Sequence, residues 1–318
     1  MQESFVDLLQ SLTNDAEPIA GVRLAELSDL DDQSTGEFAS VWERLPSDRR
    51  QILLEELGLM ADAQIQLSFE AINRLGIADL DSAVRLQAIE NLWESEDPAL
   101  ALEFLARLKE DAAPEVRAAA GKALGVFIRI GEARKLDSGI QHGIEEALLH
   151  AARNDSSREV RDSCLQTLGY SSRPEVAGLI EEAYAARSEE SLTSALRATA
   201  HSANPSWGEK VMARLHDPSP KIRLEAARAA GEIDLREGIP DLIELLEDVD
   251  ESVSRAAVWS LSQIGGSRAT EALHSMAEGD LDEGKMEQLR DAIDNLAFVE
   301  GARDLYTFEL DDPEDLGA

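Results

Sequence analysis

The chain has 318 residues, 64 acidic against 30 basic, for a formal net charge of −34, and it is 43% hydrophobic with only 4% aromatic residues. Such a surface repels DNA, RNA and anionic lipid unless its cations are segregated, which argues against a nucleic-acid-binding protein with a basic groove. A single cysteine excludes internal disulfides and fits a reducing compartment, no stretch approaches the roughly 20 apolar residues of a membrane span, and the opening MQESFVDLLQSLTNDAEP lacks the basic start and apolar core of a signal peptide, so a soluble cytoplasmic protein with no membrane insertion is expected.

Taken from the N-terminus, residues 1–75 carry worn copies of a helical unit, with Ile19, Arg23 and Leu27 in one and Arg49, Leu53 and Leu57 in the next. Between them SDLDDQSTGE, residues 28 to 37, superficially matches a calcium loop. Counting from Asp29, however, Ser34 stands where the sharp turn requires Gly and Ser40 where the bidentate Glu belongs, so the segment reads as a solvated connection.

From residue 76 to 265 the unit becomes clear: DLDSAVRLQAIENL from 79, DAAPEVRAAAGKAL from 111, DSSREVRDSCLQTL from 155, DPSPKIRLEAARAA from 217 and DVDESVSRAAVWSL from 248. The phase markers Val84, Val116, Val160, Ile222 and Val253 are 32, 44, 62 and 31 residues apart, mostly one or two periods of about 31. The long gap hides a degenerate unit at EESLTSALRATAHS, with Leu192, Leu196 and Ala200 in phase, and the 44-residue gap holds an insertion, RIGEARKLDSG, residues 129 to 139. Apolar residues at three- and four-residue spacing on both sides of the phrase make each unit two helices, and the phrase is the corner between them. In that corner Asp111, Asp155 and Asp217 can accept from backbone N–H groups of the next helix start, while Pro114, Pro218 and Pro220 mark helix boundaries. A last worn copy, residues 266–300, carries Lys285, Leu289 and Ile293.

Arg85, Arg117, Arg161 and Arg223 follow the markers and are expected to form a structural ladder with Asp79, Asp111, Asp155 and Asp217, fixing the register between neighbouring hairpins. Cys164 takes the small-residue position held elsewhere by Ala88, Ala120, Ala226 and Ala257, and reads as a packed core thiol. Trp93 stands where Gly125, Gly169 and Gly231 are expected to end their helices in a tight turn, and reads as packing.

The D-x-x-x-x-V-R-x-x-A pattern resembles the HEAT repeat, particularly the short variety of phycobilisome lyase-like proteins. The resemblance implies a right-handed α-solenoid of about nine antiparallel helical hairpins, all-α, in one domain over residues 1–300, with the second helices lining a concave face. The pattern departs at Ser254, where Arg is expected, and in the unit around Leu192, which lacks both Asp and Arg.

On that face the positions two and six beyond each marker hold Leu86 and Glu90, Ala118 and Lys122, Asp162 and Gln166, Leu224 and Arg228, then Arg255 and Trp259. Leu224, Arg228, Arg255 and Trp259, with Lys122 and Leu86, are therefore the expected partner-binding residues, since Trp and Arg dominate protein interfaces. Trp259 has an equal claim as packing between hairpins. The excess acidity reads either as a solvated, self-repelling surface or as complementarity to a basic protein partner.

Enzymes built on HEAT repeats include iron hydroxylases with paired His-Glu motifs, but His142, His150, His201, His216 and His274 are followed by Gly, Ala, Ser, Asp and Ser. His142, Glu146 and His150 share a helix face, yet eight residues separate the two histidines by roughly 12 Å, too far for one zinc ion. No catalytic residue, metal or cofactor is assigned. The alternative is a bilin lyase-like or other small-molecule-modifying enzyme. In the acidic tail, residues 301–318, Gly301 is expected to end the final helix, after which Tyr306, Phe308 and Leu310 either cap the last hairpin or form a docking segment. The sequence thus predicts a noncatalytic scaffold that docks a protein partner.

Overall fold

A computed structural model describes the backbone of residues 2–14, 19, 21–133, 135–186, 188–279 and 282–310; the side chains of residues 2–4, 21–22 and 300–310 lie outside that description. Two compact units divide the chain, Met1–Leu168 and Gly169–Ala318. Both are all-α among the described residues. The first begins with α1 (Gln2–Leu12) and the short α2 (Gly21–Leu24), and continues as hairpins α3 (Asp32–Trp42) with α4 (Ser47–Ala63), α5 (Glu70–Ile77) with α6 (Ser82–Asn91), and α7 (Pro98–Glu110) with α8 (Pro114–Ala123). An extra helix, α9 (Gly125–Glu132), precedes its last hairpin, α10 (Ser138–Asn154) with α11 (Arg158–Leu168). The second unit contains α12 (Pro174–Ala185) with α13 (Glu189–Ser202), α14 (Gly208–Leu215) with α15 (Pro220–Glu232), α16 (Ile239–Leu245) with α17 (Glu251–Ile264), and α18 (Ser267–Ala277) with α19 (Glu283–Leu310).

Each second helix is held by a stripe that the repeat phrase writes into the sequence. The markers Val84, Val116, Val160 and Val253 are fully buried, as are Ala88, Ala120, Cys164, Ala226 and Ala257 one turn later. One further turn on, Leu92, Leu124, Leu168, Ala230 and Leu261 are also buried. Burying each large aliphatic chain is worth roughly 1.5–3 kcal/mol, and the small residues between them let neighbouring helices approach. Within the first unit α4, α6, α8 and α11 pack side by side in that order, and within the second α13, α15, α17 and α19 do the same. Each unit is therefore a stack in which a hairpin buries its apolar side against the next.

The corners follow from their composition. Asp111, Asp155 and Asp217 accept hydrogen bonds from the backbone N–H of Ala113, Ser157 and Ser219, two residues on, at 3.0, 2.8 and 3.1 Å. Asp79 and Asp248 accept in the same way from Asp81 and Asp250. Pro114 and Pro220 open α8 and α15, where the missing N–H costs nothing. In the loop before α3, Asp31 caps the helix by accepting from Ser34 N–H at 2.8 Å, so this acidic segment is a helix start.

Three expectations are corrected. The insertion after α8 begins at Gly125 and is a helix, because Val126, Phe127 and Ile128 supply an apolar face and are buried. Gly231 does not end its helix but lies inside α15, whereas Gly169 does follow the end of α11 in a turn; neither has positive φ, and both are positions of close approach. A Cβ on Gly231 would sit 2.7 Å from Trp259 Cζ3, and one on Gly169 would sit 2.4 Å from the carbonyl oxygen of Ala198. Finally, Gly301 does not end the last helix, since α19 continues to Leu310 and replaces the expected alternating segment. The side chains of Tyr306, Phe308 and Leu310, and all of residues 311–318, lie outside the described residues.

Candidate functional site

The repeated arginines and aspartates form pairs that run from one hairpin to the next. Arg85 grips Asp111 with two hydrogen bonds, Nε to Oδ2 at 2.8 Å and Nη2 to Oδ1 at 2.7 Å. Arg117 does the same to Asp155 at 2.8 Å for both bonds, and Arg223 to Asp248 at 2.7 and 2.8 Å. The remaining Nη1 of each donates to the carbonyls of its own corner: Asp79 and Leu80, Asp111 and Ala112, Asp217 and Pro218. One guanidinium thus ties its own turn to the carboxylate of the following turn. The bidentate geometry uses Arg's planar fork, which Lys cannot reproduce.

The electrostatics match. Hydrogen bonds from Arg117 and Arg223 hold Asp155 and Asp248 below the usual carboxylate range. For Asp111 burial pulls upward, but the bonds from Arg85 and the Ala113 N–H outweigh it and the net direction is down. The three arginines are correspondingly raised.

Where the phrase is degenerate the ladder stops. Arg161 donates to the carbonyls of Asp155 and Ser156 at 2.7 and 3.2 Å, and among the described residues no carboxylate lies within ion-pair distance of it. Asp217 is met instead by Arg214 of α14 at 3.2 Å, and Ser254 donates to the Leu246 carbonyl at 2.8 Å. One rung escaped the sequence reading: Arg50 Nη1 lies 3.1 Å from Asp79 Oδ2, where Trp42 Nε1 also donates at 3.1 Å. Its signal was present, because Arg50 follows the marker Arg49 as Arg85 follows Val84.

In the second unit the structure brings four of the expected face residues together. Leu224 and Arg228 stand one turn apart on α15, and Arg255 and Trp259 one turn apart on the adjacent α17. Arg228 and Arg255 are exposed, Leu224 and Trp259 half-buried. Trp259 leans its ring over Gly231 of α15, so it packs between second helices and still presents an edge to solvent. Arg255 has no carboxylate within ion-pair distance among the described residues, while Arg228 Nη1 lies 3.9 Å from the buried Glu225. Sequence reasoning missed Arg197 of α13, whose Nη2 donates to the same Glu225 oxygen at 2.6 Å. It sits in the unit flagged as lacking its arginine, one position off the counted phase.

Lys122 and Leu86 belong to the other unit. There Lys122 Nζ lies 5.9 Å over the Trp93 ring, and Trp93 is 49% exposed. At this position Trp93 does not fill a core, contrary to the packing expectation.

Cys164 is fully buried against Gly121, and burial pushes its thiol up to about 12, so it is no nucleophile near neutral pH. His142, Glu146 and His150 are all exposed on α10, and the last two line an open cleft of about 800 Å³ together with Lys109 and Asn154. Among the described residues no group of three His, Cys, Asp or Glu side chains is placed to hold a metal ion, and no helix is long and apolar enough to cross a membrane.

The HEAT repeats family matches residues 208–289, from α14 into α19. Comparison with curated proteins gives no match. Among solved structures, YibA of E. coli is similar at 15% identity over 89% of this chain and 99% of its own, with a TM-score of 0.48. A designed armadillo repeat protein in complex with the peptide (KR)4 is 20% identical over 64% of this chain and 100% of its own, with a TM-score of 0.40. Human deoxyhypusine hydroxylase is 16% identical over 93% and 97%, with a TM-score of 0.36. The family match falls on the unit that carries the Arg228–Trp259 face.

Proposed function

We propose that the chain is a noncatalytic HEAT-type scaffold of the cytoplasm that docks a protein partner on its second helices. One observation carries the reading. In the second unit Leu224, Arg228, Arg255 and Trp259 stand together on adjacent helices, exposed or half-buried, in a chain otherwise dominated by carboxylates. An aromatic edge beside exposed guanidinium groups is the composition of an interface centre. The ladder is at the corners, away from this face, and its work is register. The net charge of −34 adds long-range attraction for a basic partner protein.

Arg228→Ala, Arg255→Ala and Trp259→Ala combined should weaken capture of the native partner at least tenfold while helicity and melting stay close to wild type. Undiminished capture by the folded triple variant rejects the site.

A further inference from the structure

The middle of the α13–α15–α17 face is cationic, which is unexpected in a chain with about two acidic residues for every basic one. Arg197 on α13, Arg228 on α15 and Arg255 on α17 provide one guanidinium per helix across three helices packed in sequence. Lys221, exposed at the start of α15, adds a fourth cation. The exposed carboxylates of these helices, Glu189, Glu190, Glu232 and Glu251, stand at the helix ends. The one carboxylate in the middle, Glu225, is 3% exposed and already consumed by Arg197 at 2.6 Å and Arg228 at 3.9 Å. Arg255 lacks such a partner among the described residues.

With one charge, the buried Glu225 cannot neutralise both guanidinium groups, whose side chains stay 41% and 55% exposed. Trp259, pressed over Gly231 and therefore fixed, supplies a flat apolar surface beside them. Adjacent packed helices are roughly 8–10 Å apart, and an extended peptide repeats its side-chain direction about every 6.8 Å. A strand-like segment crossing the three helices would therefore offer a carboxylate to each guanidinium every second or third residue.

We infer that this face binds an extended acidic segment of a partner protein, with carboxylates on Arg197, Arg228 and Arg255 and an aliphatic or aromatic side chain on Trp259 and Leu224. The inference rests on the docking function proposed above and gives its local chemistry a sign opposite to that of the whole chain. Long-range repulsion from the other carboxylates is not prohibitive, because at 0.15 M ionic strength charges beyond about 8 Å are screened.

The test uses two fluorescein-labelled octapeptides at 0.15 M salt, one alternating Glu and Asp with Leu, the other carrying Lys and Arg in place of the acids. Fluorescence anisotropy should show saturable binding of the acidic peptide alone, weakened at least tenfold by Arg228→Ala with Arg255→Ala and restored in part by Arg→Lys at both positions. Binding of the basic peptide, lost in the Trp259→Ala variant, would overturn the acidic assignment and leave the docking function standing. No binding of either peptide overturns this inference, while partner capture by the triple variant judges the docking function separately. Acidic-peptide binding that appears only after residues 303–318 are removed would mean that the chain's own acidic tail is the occupant, and the partner assignment would fall.

Discussion

Cys164 shows how a repeat constrains a single side chain. It occupies the position that alanine takes in the other units, is fully buried, and lies against Gly121 of the neighbouring second helix. Desolvation holds the thiol up at about 12. A folded-state value above the unfolded one means that the neutral thiol contributes stability fully below about pH 9, and that this contribution is lost as pH rises from 9 toward 12. A chromogenic thiol reagent at pH 8 should therefore label native protein at the rate of unfolding and denatured protein at once; immediate labelling of native protein would contradict the packing. Trp93 is the counterexample at the same scale. A fixed sequence position gave glycine in three units and an exposed ring in a fourth, and only its surroundings reveal that α8 offers Lys122 there in place of a backbone to approach.

Between elements, the ladder ties one hairpin to the next. Its pairs span 26, 38 and 25 residues of sequence, so each arginine crosses a whole repeat to reach its carboxylate. Removing one partner of a nearly buried pair leaves a charge stranded, at a cost of about 3–5 kcal/mol. Arg117→Ala, which strands Asp155, should lower the denaturant midpoint by an amount of that order. Arg158→Ala, which loses a more exposed i,i+4 pair with Asp162, should cost roughly 0.5 kcal/mol or less. A double-mutant cycle on Arg117 and Asp155 would expose the coupling, and a cycle energy near zero would refute the ladder's role. The depressed carboxyls make the same point through pH: the stability from Asp155 and Asp248 is present above their ordinary value near 3.8 and is lost as pH falls below it. Most ladder residues were legible in the sequence because they recur in phase, but Arg50 and Asp248 were missed, and Arg161 and Asp217 were expected in it yet make no such rung. The pairing direction was not legible, because a period says that residues align without saying which neighbour a long side chain reaches. Arg197 was missed for a related reason: its unit is degenerate, and it faces Glu225 from one position outside the counted phase.

For the whole molecule, charge and repetition act against each other. Repetition supplies thin layers of Ala, Val and Leu in place of one deep core, while a net charge of −34 pushes the surface apart. Raising salt from 0.01 to 0.15 M shortens the screening length from about 30 to 8 Å, which weakens diffuse repulsion more than it weakens contacts such as Arg223–Asp248. The melting temperature should rise over that range, by on the order of 5 °C, as read by circular dichroism at 222 nm. A fall would mean that ion pairs outweigh the repulsion.

Helical period, hairpin corners, the small-residue stripe and the in-phase ladder residues Asp79, Arg85, Asp111, Arg117, Asp155 and Arg223 were legible in the sequence alone, because each belongs to a local pattern repeated at a fixed interval. Tertiary structure alone decided that Gly231 exists to admit Trp259, that Glu225 lies beneath Arg197 and Arg228, and that α19 runs on past Gly301. Those features depend on what the next hairpin presents across the gap. One-dimensional periodicity carries no information about that distance, and packing sets it.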